Sequence, residues 1–196
     1  MIKIGQYYKP IIIETMEWVY SHDYGNGLKL MEHSYIGNNF VGVVMKLLSK
    51  GGEWYKKPIV WCGDYFSEEG EEKYYDKTDD NLKIMPVFSM DESEQVKCVL
   101  VNHTKKEYLI ISPQDFKKST KAKAQAKKML KVIEGEEREW KIHPLPLLTA
   151  LGNGRGGGDF RGENEYIGYW ARDILSVEKE IPKGYTKLNV EFRENE

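Results

Sequence analysis

The chain predicts an α+β fold with a largely antiparallel sheet, two main helices and one compact domain. Three observations carry this expectation. Short β-branched and aromatic runs mix with helical ones in no regular βαβ order, which disfavours a parallel, doubly wound sheet. Two of those runs, 96–101 and 108–111, flank the polar segment Asn102-His103-Thr104-Lys105-Lys106 as the arms of a hairpin do. A length of 196 residues and a hydrophobic fraction of 40% suffice for one domain, 1–196, with a sizeable core.

Taken in order, residues 4–15 are rich in β-branched and aromatic side chains around Pro10, which predicts one or two strands near a sheet edge. Gly25-Asn26-Gly27 ends this segment, and Leu28 to Ser34 is locally helical. Phe40 to Leu48 reads as a buried helix with Asn38 or Asn39 as N-cap and Gly51-Gly52 as its stop. Pro58 opens a short apolar strand, Ile59-Val60-Trp61-Cys62, that ends at Gly63-Asp64. An irregular acidic excursion follows at about 66–93, then the hairpin, then a lysine-rich helix at about 113–134 with apolar residues at helical spacing. His143-Pro144-Leu145-Pro146 predicts an extended path. Tyr166 to Val177 reads as the last central strand and Tyr185 to Phe192 as an edge strand.

A formal net charge of −2 leaves no global basic field, so nucleic acid is disfavoured as a partner. Charge is instead arranged in blocks: eleven acids against three lysines between Asp64 and Glu94, and seven lysines with no acid between Lys117 and Lys131. Solvated faces or insertions account for both, with a partner-binding acidic segment and a polyanion-binding basic one as the functional alternatives. Two cysteines, Cys62 and Cys98, no secretory signal and no long apolar run predict free thiols in a cytoplasmic protein that does not meet a membrane.

Residues 151–162, Leu-Gly-Asn-Gly-Arg-Gly-Gly-Gly-Asp-Phe-Arg-Gly, hold six glycines, two arginines and an aspartate. Gly152, Gly154 and Gly157 formally satisfy the dinucleotide motif, but Gly158-Asp159-Phe160-Arg161-Gly162 cannot start the helix that motif needs. No Gly-Lys-Ser/Thr follows, which excludes an NTPase phosphate loop. What remains is a loop, Gly152, Asn153, Gly154, Arg155, Gly156, Gly157, Gly158, Asp159 and Arg161, whose N–H groups and guanidinia suit a phosphate or carboxylate. A glycine-rich crossing packed on an aromatic ring is the plain structural alternative. Trp61 and Trp170 each close an apolar run and precede an aspartate by three residues; core or rim packing is the plain reading of both, and either ring, if it faces the loop, would stack a base.

His103 and His143, with Asp64, Asp159 or Asp173 as partner, are the general-base candidates. Spacing establishes no such pair. Neither a C-x-x-C nor an H-E-x-x-H occurs, and four scattered histidines form no ligand set, so no metal and no cofactor is expected.

Val-Asn-His-Thr-Lys-Lys at 101–106, His-Pro-Leu-Pro-Leu-Leu-Thr-Ala at 143–150, the glycine loop, Trp-Ala-Arg-Asp at 170–173, Trp-Cys-Gly-Asp at 61–64 and Gly-Asn-Gly near residue 26 resemble a family of small phage and mobile-element proteins without an assigned activity. The resemblance spans most of the chain but leaves out the acidic excursion and the lysine helix. It implies an accessory protein in a bacterial cytoplasm that acts on a host function. The leading expectation is a binding module that captures a phosphorylated small molecule, such as a nucleotide, and sequesters a host signal. The alternatives are a small hydrolase working on a phosphoester or glycosidic bond with a His/Asp pair, and an acidic inhibitor that binds a host protein.

Overall fold

A computed structural model describes residues 5–66, 73–111, 141–162, 164–190 and 192. The lysine-rich segment and residues 67–72 of the acidic excursion lie outside them. Seven strands form one sheet: β1 (Tyr8–Ile12), β2 (Lys57–Gly63), β3 (Val99–Asn102), β4 (Glu107–Ile110), β5 (Ala150–Leu151), β6 (Ile174–Glu178) and β7 (Thr186–Lys187). Their order is β1-β2-β6-β3-β4-β7, with β5 attached to β2. Four of the six pairings are antiparallel; β2 with β5 and β4 with β7 are parallel. The expected α+β class and antiparallel character are observed.

Pro10 lies in β1, the outermost strand beside β2, where a residue without an N–H is tolerated. Along β2 the alternation of side chains divides two cores. Ile59 and Trp61 enter the large cluster with Phe40, Leu47, Trp54 and Trp170, while Val60 and Cys62 join Ile11, Trp18, Phe66 and Leu151 on the other face. Both thiols are free and buried, and burial pushes Cys62 up to about 12.

Among the described residues, five short helices accompany the sheet: α1 (Leu30–His33), α2 (Asn39–Leu47), α3 (Tyr74–Lys77), α4 (Glu92–Gln95) and α5 (Pro144–Leu148). The start of α2 is fixed as expected: Asn38 Oδ1 accepts from Val41 N at 3.0 Å. Asn38 Nδ2 also donates to Asn26 Oδ1 at 2.5 Å, which ties the Gly25-Asn26-Gly27 turn to the helix. Asn38→Ala removes both bonds, and a lost cap alone costs about 1–2 kcal/mol. The expected result is a loss of about 2 kcal/mol in urea denaturation; an unchanged midpoint would contradict the assigned cap.

Three expectations need correction. Only His143 of His143-Pro144-Leu145-Pro146 is extended: as the N-cap it opens α5, which Pro144, Leu145 and Pro146 begin. Proline suits a first helical turn because its fixed φ is already helical and its missing N–H has no intrahelical acceptor there. Tyr166 to Val177 is not one strand, since β6 begins only at Ile174 and the stretch before it is a series of turns, with Arg172 at a φ of 72°. The edge strand expected over Tyr185 to Phe192 is confined to Thr186–Lys187. The described part of the acidic excursion is also built into the fold. Asp79 caps a 3-10 turn, Asp91 caps α4, and Lys83 pairs with Asp23 at 3.1 Å.

Candidate functional site

The glycine loop leaves the end of β5 and crosses over the segment that enters β1. Gln6 N donates to Gly157 O at 3.1 Å and Met31 N to Gly158 O at 3.0 Å. Gly152, Gly154 and Gly158 have φ values of +96°, +92° and +87°, a region that L side chains resist. Two N–H groups of the loop do converge on an anion, and the anion is the loop's own Asp159. Its Oδ2 accepts from Gly154 N at 2.7 Å and Gly156 N at 2.9 Å, and its Oδ1 accepts from the Tyr8 hydroxyl at 3.0 Å. Asp159 is buried, and burial together with this carboxylate pushes the Tyr8 hydroxyl well above its usual range. Asn153 and Phe160 close the loop reciprocally, at 3.2 and 2.9 Å.

A basic and aromatic shelf lies beside it. The exposed Arg155 places its guanidinium 5.2 Å from the centre of the Phe66 ring, and its Nη1 donates to Tyr65 O at 3.1 Å. Arg172 reaches the same ring from the other segment, at 5.7 Å, and the Tyr74 ring at 5.7 Å. Tyr65 is 39% exposed. Asp64 is also at this end of the sheet, where Oδ1 accepts from Tyr7 N at 3.0 Å. Arg161 is exposed.

The remaining candidates do not gather here. Trp61 and Trp170 are fully buried, so neither offers a face for stacking, and that expectation is corrected. Trp61 Nε1 donates to His33 Nε2 at 2.9 Å, and Trp170 Nε1 to Glu107 Oε2 at 2.9 Å. Large aromatic rings have more to gain in a core than at its rim. Asp173 sits at the hairpin, where Oδ2 accepts from Asn102 Nδ2 at 2.7 Å and pairs with Lys105 Nζ.

His103 lies in the same hairpin turn but bonds to neither Asp64, Asp159 nor Asp173 in any described contact. Its Nε2 meets Ser176 Oγ at 2.8 Å and its Nδ1 meets the Tyr185 hydroxyl at 3.0 Å. Ser176 donates onward to Glu178 Oε1 at 2.7 Å, which makes His103 Nε2 the donor to Ser176 and Nδ1 the acceptor from Tyr185. Burial, then the nearby Lys56, holds this imidazole below its usual 6.5. Such a chain locks the hairpin turn rather than activating Ser176, which is itself buried. His143 is fully buried, with Nδ1 accepting from Leu145 N at 3.2 Å, and burial lowers it to about 3. No described contact joins it to an aspartate.

Two residues that sequence reasoning did not single out matter more. His33 is buried between Trp61 and Gly27 O. Gln6 is fully buried under the glycine loop, and neither Nε2 nor Oε1 has a hydrogen-bond partner among the described residues. Nothing in the sequence near Gln6 signals this, because the enclosure is made by Gly63, Gly152 and Gly156 from elsewhere in the chain.

Among the described residues no group of three or more His, Cys, Asp or Glu is placed to hold a metal ion, and no helix is long and apolar enough to cross a membrane. No family model, curated protein or solved structure matches the chain.

Proposed function

We propose that the chain is a binding module that captures a phosphorylated, nucleotide-like small molecule at the mouth of the glycine loop, without turning it over. The observation that carries this reading is the placement of Arg155 and Arg172, from two separate segments, over the one Phe66 ring beside the exposed Tyr65. A guanidinium presents donors in a planar fork that matches a phosphate, and an exposed tyrosine supplies the flat apolar face that a base needs. The loop contributes rigidity more than donors, since the Gly154 and Gly156 N–H groups are held by Asp159. Two charge-assisted contacts at about 1.5–3 kcal/mol each, with a stacked base at about 1–3 kcal/mol, place affinity between about millimolar and about micromolar. The resemblance to phage accessory proteins would make the captured molecule a host signal.

Capture is favoured over hydrolysis because neither His103 nor His143 meets an aspartate in a described contact, and His143 is sealed in the core. Thermal shift and calorimetry with a panel of mono-, di- and cyclic nucleotides test the reading. At least one member should raise the melting temperature, and Arg155→Ala and Arg172→Ala should each weaken its binding by about tenfold or more. Silence across the whole panel would sink the proposal. Chromatography of the recovered ligand distinguishes the hydrolase, which would return product in place of intact nucleotide.

A further inference from the structure

A buried carboxamide offers two donors and a two-lone-pair acceptor, and in folded proteins such groups are almost always satisfied. Gln6 departs from that rule where the glycine loop crosses the segment that enters β1. Its side chain is fully buried, with Nε2 and Oε1 both unpartnered among the described residues. The room it occupies exists because three neighbours lack a side chain. A Cβ at Gly63 would stand 2.0 Å from Gln6 Nε2, one at Gly152 2.6 Å from the same nitrogen, and one at Gly156 2.2 Å from Gln6 Cβ. The Gly152 position also lies 3.1 Å from Phe66 Cβ. Gly152 therefore lies between the Gln6 amide and the Phe66 ring that carries Arg155 and Arg172.

A leucine or methionine would fill this space with no unmet hydrogen bond, so the amide is retained against stability. The loop N–H groups nearest to it do not explain it, because Gly154 N and Gly156 N are taken by Asp159. We infer that the Gln6 carboxamide is a specificity-determining contact of the loop site, reading a ligand edge that presents a hydrogen-bond donor and an acceptor side by side. A carboxamide pairs bidentately with such an edge, as glutamine does with adenine. The lactam edge of hypoxanthine or uracil has the same alternation, so the shared chemistry is an adjacent N–H and acceptor on a planar ring. Because Gln6 is covered, the edge reaches it by displacing the segment 152–156, which gives up the Gly154 and Gly156 bonds to Asp159 that otherwise hold the loop closed. This inference rests on the proposed capture of a phosphorylated ligand and adds the class of its head group.

Calorimetry with AMP, IMP, UMP and ribose 5-phosphate, on wild type, Gln6→Leu and Gln6→Met, tests it. Ribose 5-phosphate carries the anion without the base. In wild type at least one of the three nucleotides should bind tenfold or more tightly than ribose 5-phosphate, and both variants should lose that advantage while keeping ribose 5-phosphate affinity. The free variants should also melt higher than wild type, since the orphaned amide is gone. If no nucleotide outbinds ribose 5-phosphate, or the advantage survives in both variants, Gln6 is not the reading contact although capture stands. Lower melting of both variants would overturn the inference as well, because it would mark Gln6 as satisfied by a structural water. Failure of all four probes on wild type would remove the capture reading together with it.

Discussion

Alanine at Gly156 should lose about 3 kcal/mol or more of folding stability, because overpacking a rigid site costs about 1–3 kcal/mol and a charge-assisted hydrogen bond is strained with it. The new Cβ would lie 2.2 Å from Gln6 Cβ, 2.8 Å from Gln6 N and 3.0 Å from Gln6 Cα. Two of those atoms are backbone, and moving them breaks the bond from Gln6 N to Gly157 O. Shifting the loop instead pulls Gly156 N away from Asp159. Gly154→Ala is the control. It too donates to Asp159, but an added Cβ there meets nothing within 4 Å, and its demand is a φ of +92°. Left-handed strain of about 1–2 kcal/mol is then the whole cost. Urea denaturation of both variants decides the matter: a Gly154→Ala loss equal to or larger than that of Gly156→Ala would mean the loop does not pack on Gln6 as described.

That contrast also marks how far local chemistry can be read from a sequence. The α2 helix with its Asn38 cap, the apolar β2 strand, the hairpin β3–β4 and the edge position of Pro10 all depend on residues near one another in the chain, and all were legible. The helix that follows His143 was not, because the rule that a residue before proline is extended holds at His143, the N-cap, but gives way at Leu145 inside the first turn. At the glycine loop the convergence of N–H groups on an anion was legible, but the anion's identity was not. Asp159 lies five residues from Gly154 and three from Gly156, and only the positive φ values fold the carboxylate back between them. Gln6 is the extreme case. Its enclosure is assembled from Gly63, Gly152 and Gly156, more than fifty residues away in each instance, and no pattern around position 6 encodes it.

Acid should strongly destabilise the protein through two histidines that the proposed capture does not use. His33 Nε2 accepts from Trp61 Nε1, so its proton resides on Nδ1, which donates to Gly27 O at 3.1 Å. A second proton would confront the Trp61 N–H in a dry core, and burial lowers this imidazole to about 4. His143 uses Nδ1 to accept from Leu145 N, so protonation there would abolish the α5 cap, and burial lowers it to about 3. In the unfolded chain both take up a proton near 6.5. Between pH 6.5 and the folded values the unfolded state therefore holds more protons, and stability falls as pH falls. It is complete above pH 6.5 and lost progressively toward pH 3, with each histidine contributing up to about 1.4 kcal/mol per pH unit inside its window. His103, also held below 6.5, adds in the same direction. By pH 4 the two together remove up to about 7 kcal/mol, a large share of a typical net stability of about 5–15 kcal/mol. Urea denaturation at pH 7.5, 6.0 and 5.0 stays above the ordinary carboxylate range and isolates the histidines. His143→Asn separates the two: asparagine keeps an acceptor for Leu145 N and cannot titrate, so the slope should fall by about half while neutral-pH stability changes little. A flat profile from pH 7.5 to 5.0, or an undiminished slope in His143→Asn, would show that these imidazoles accept protons in the folded state after all.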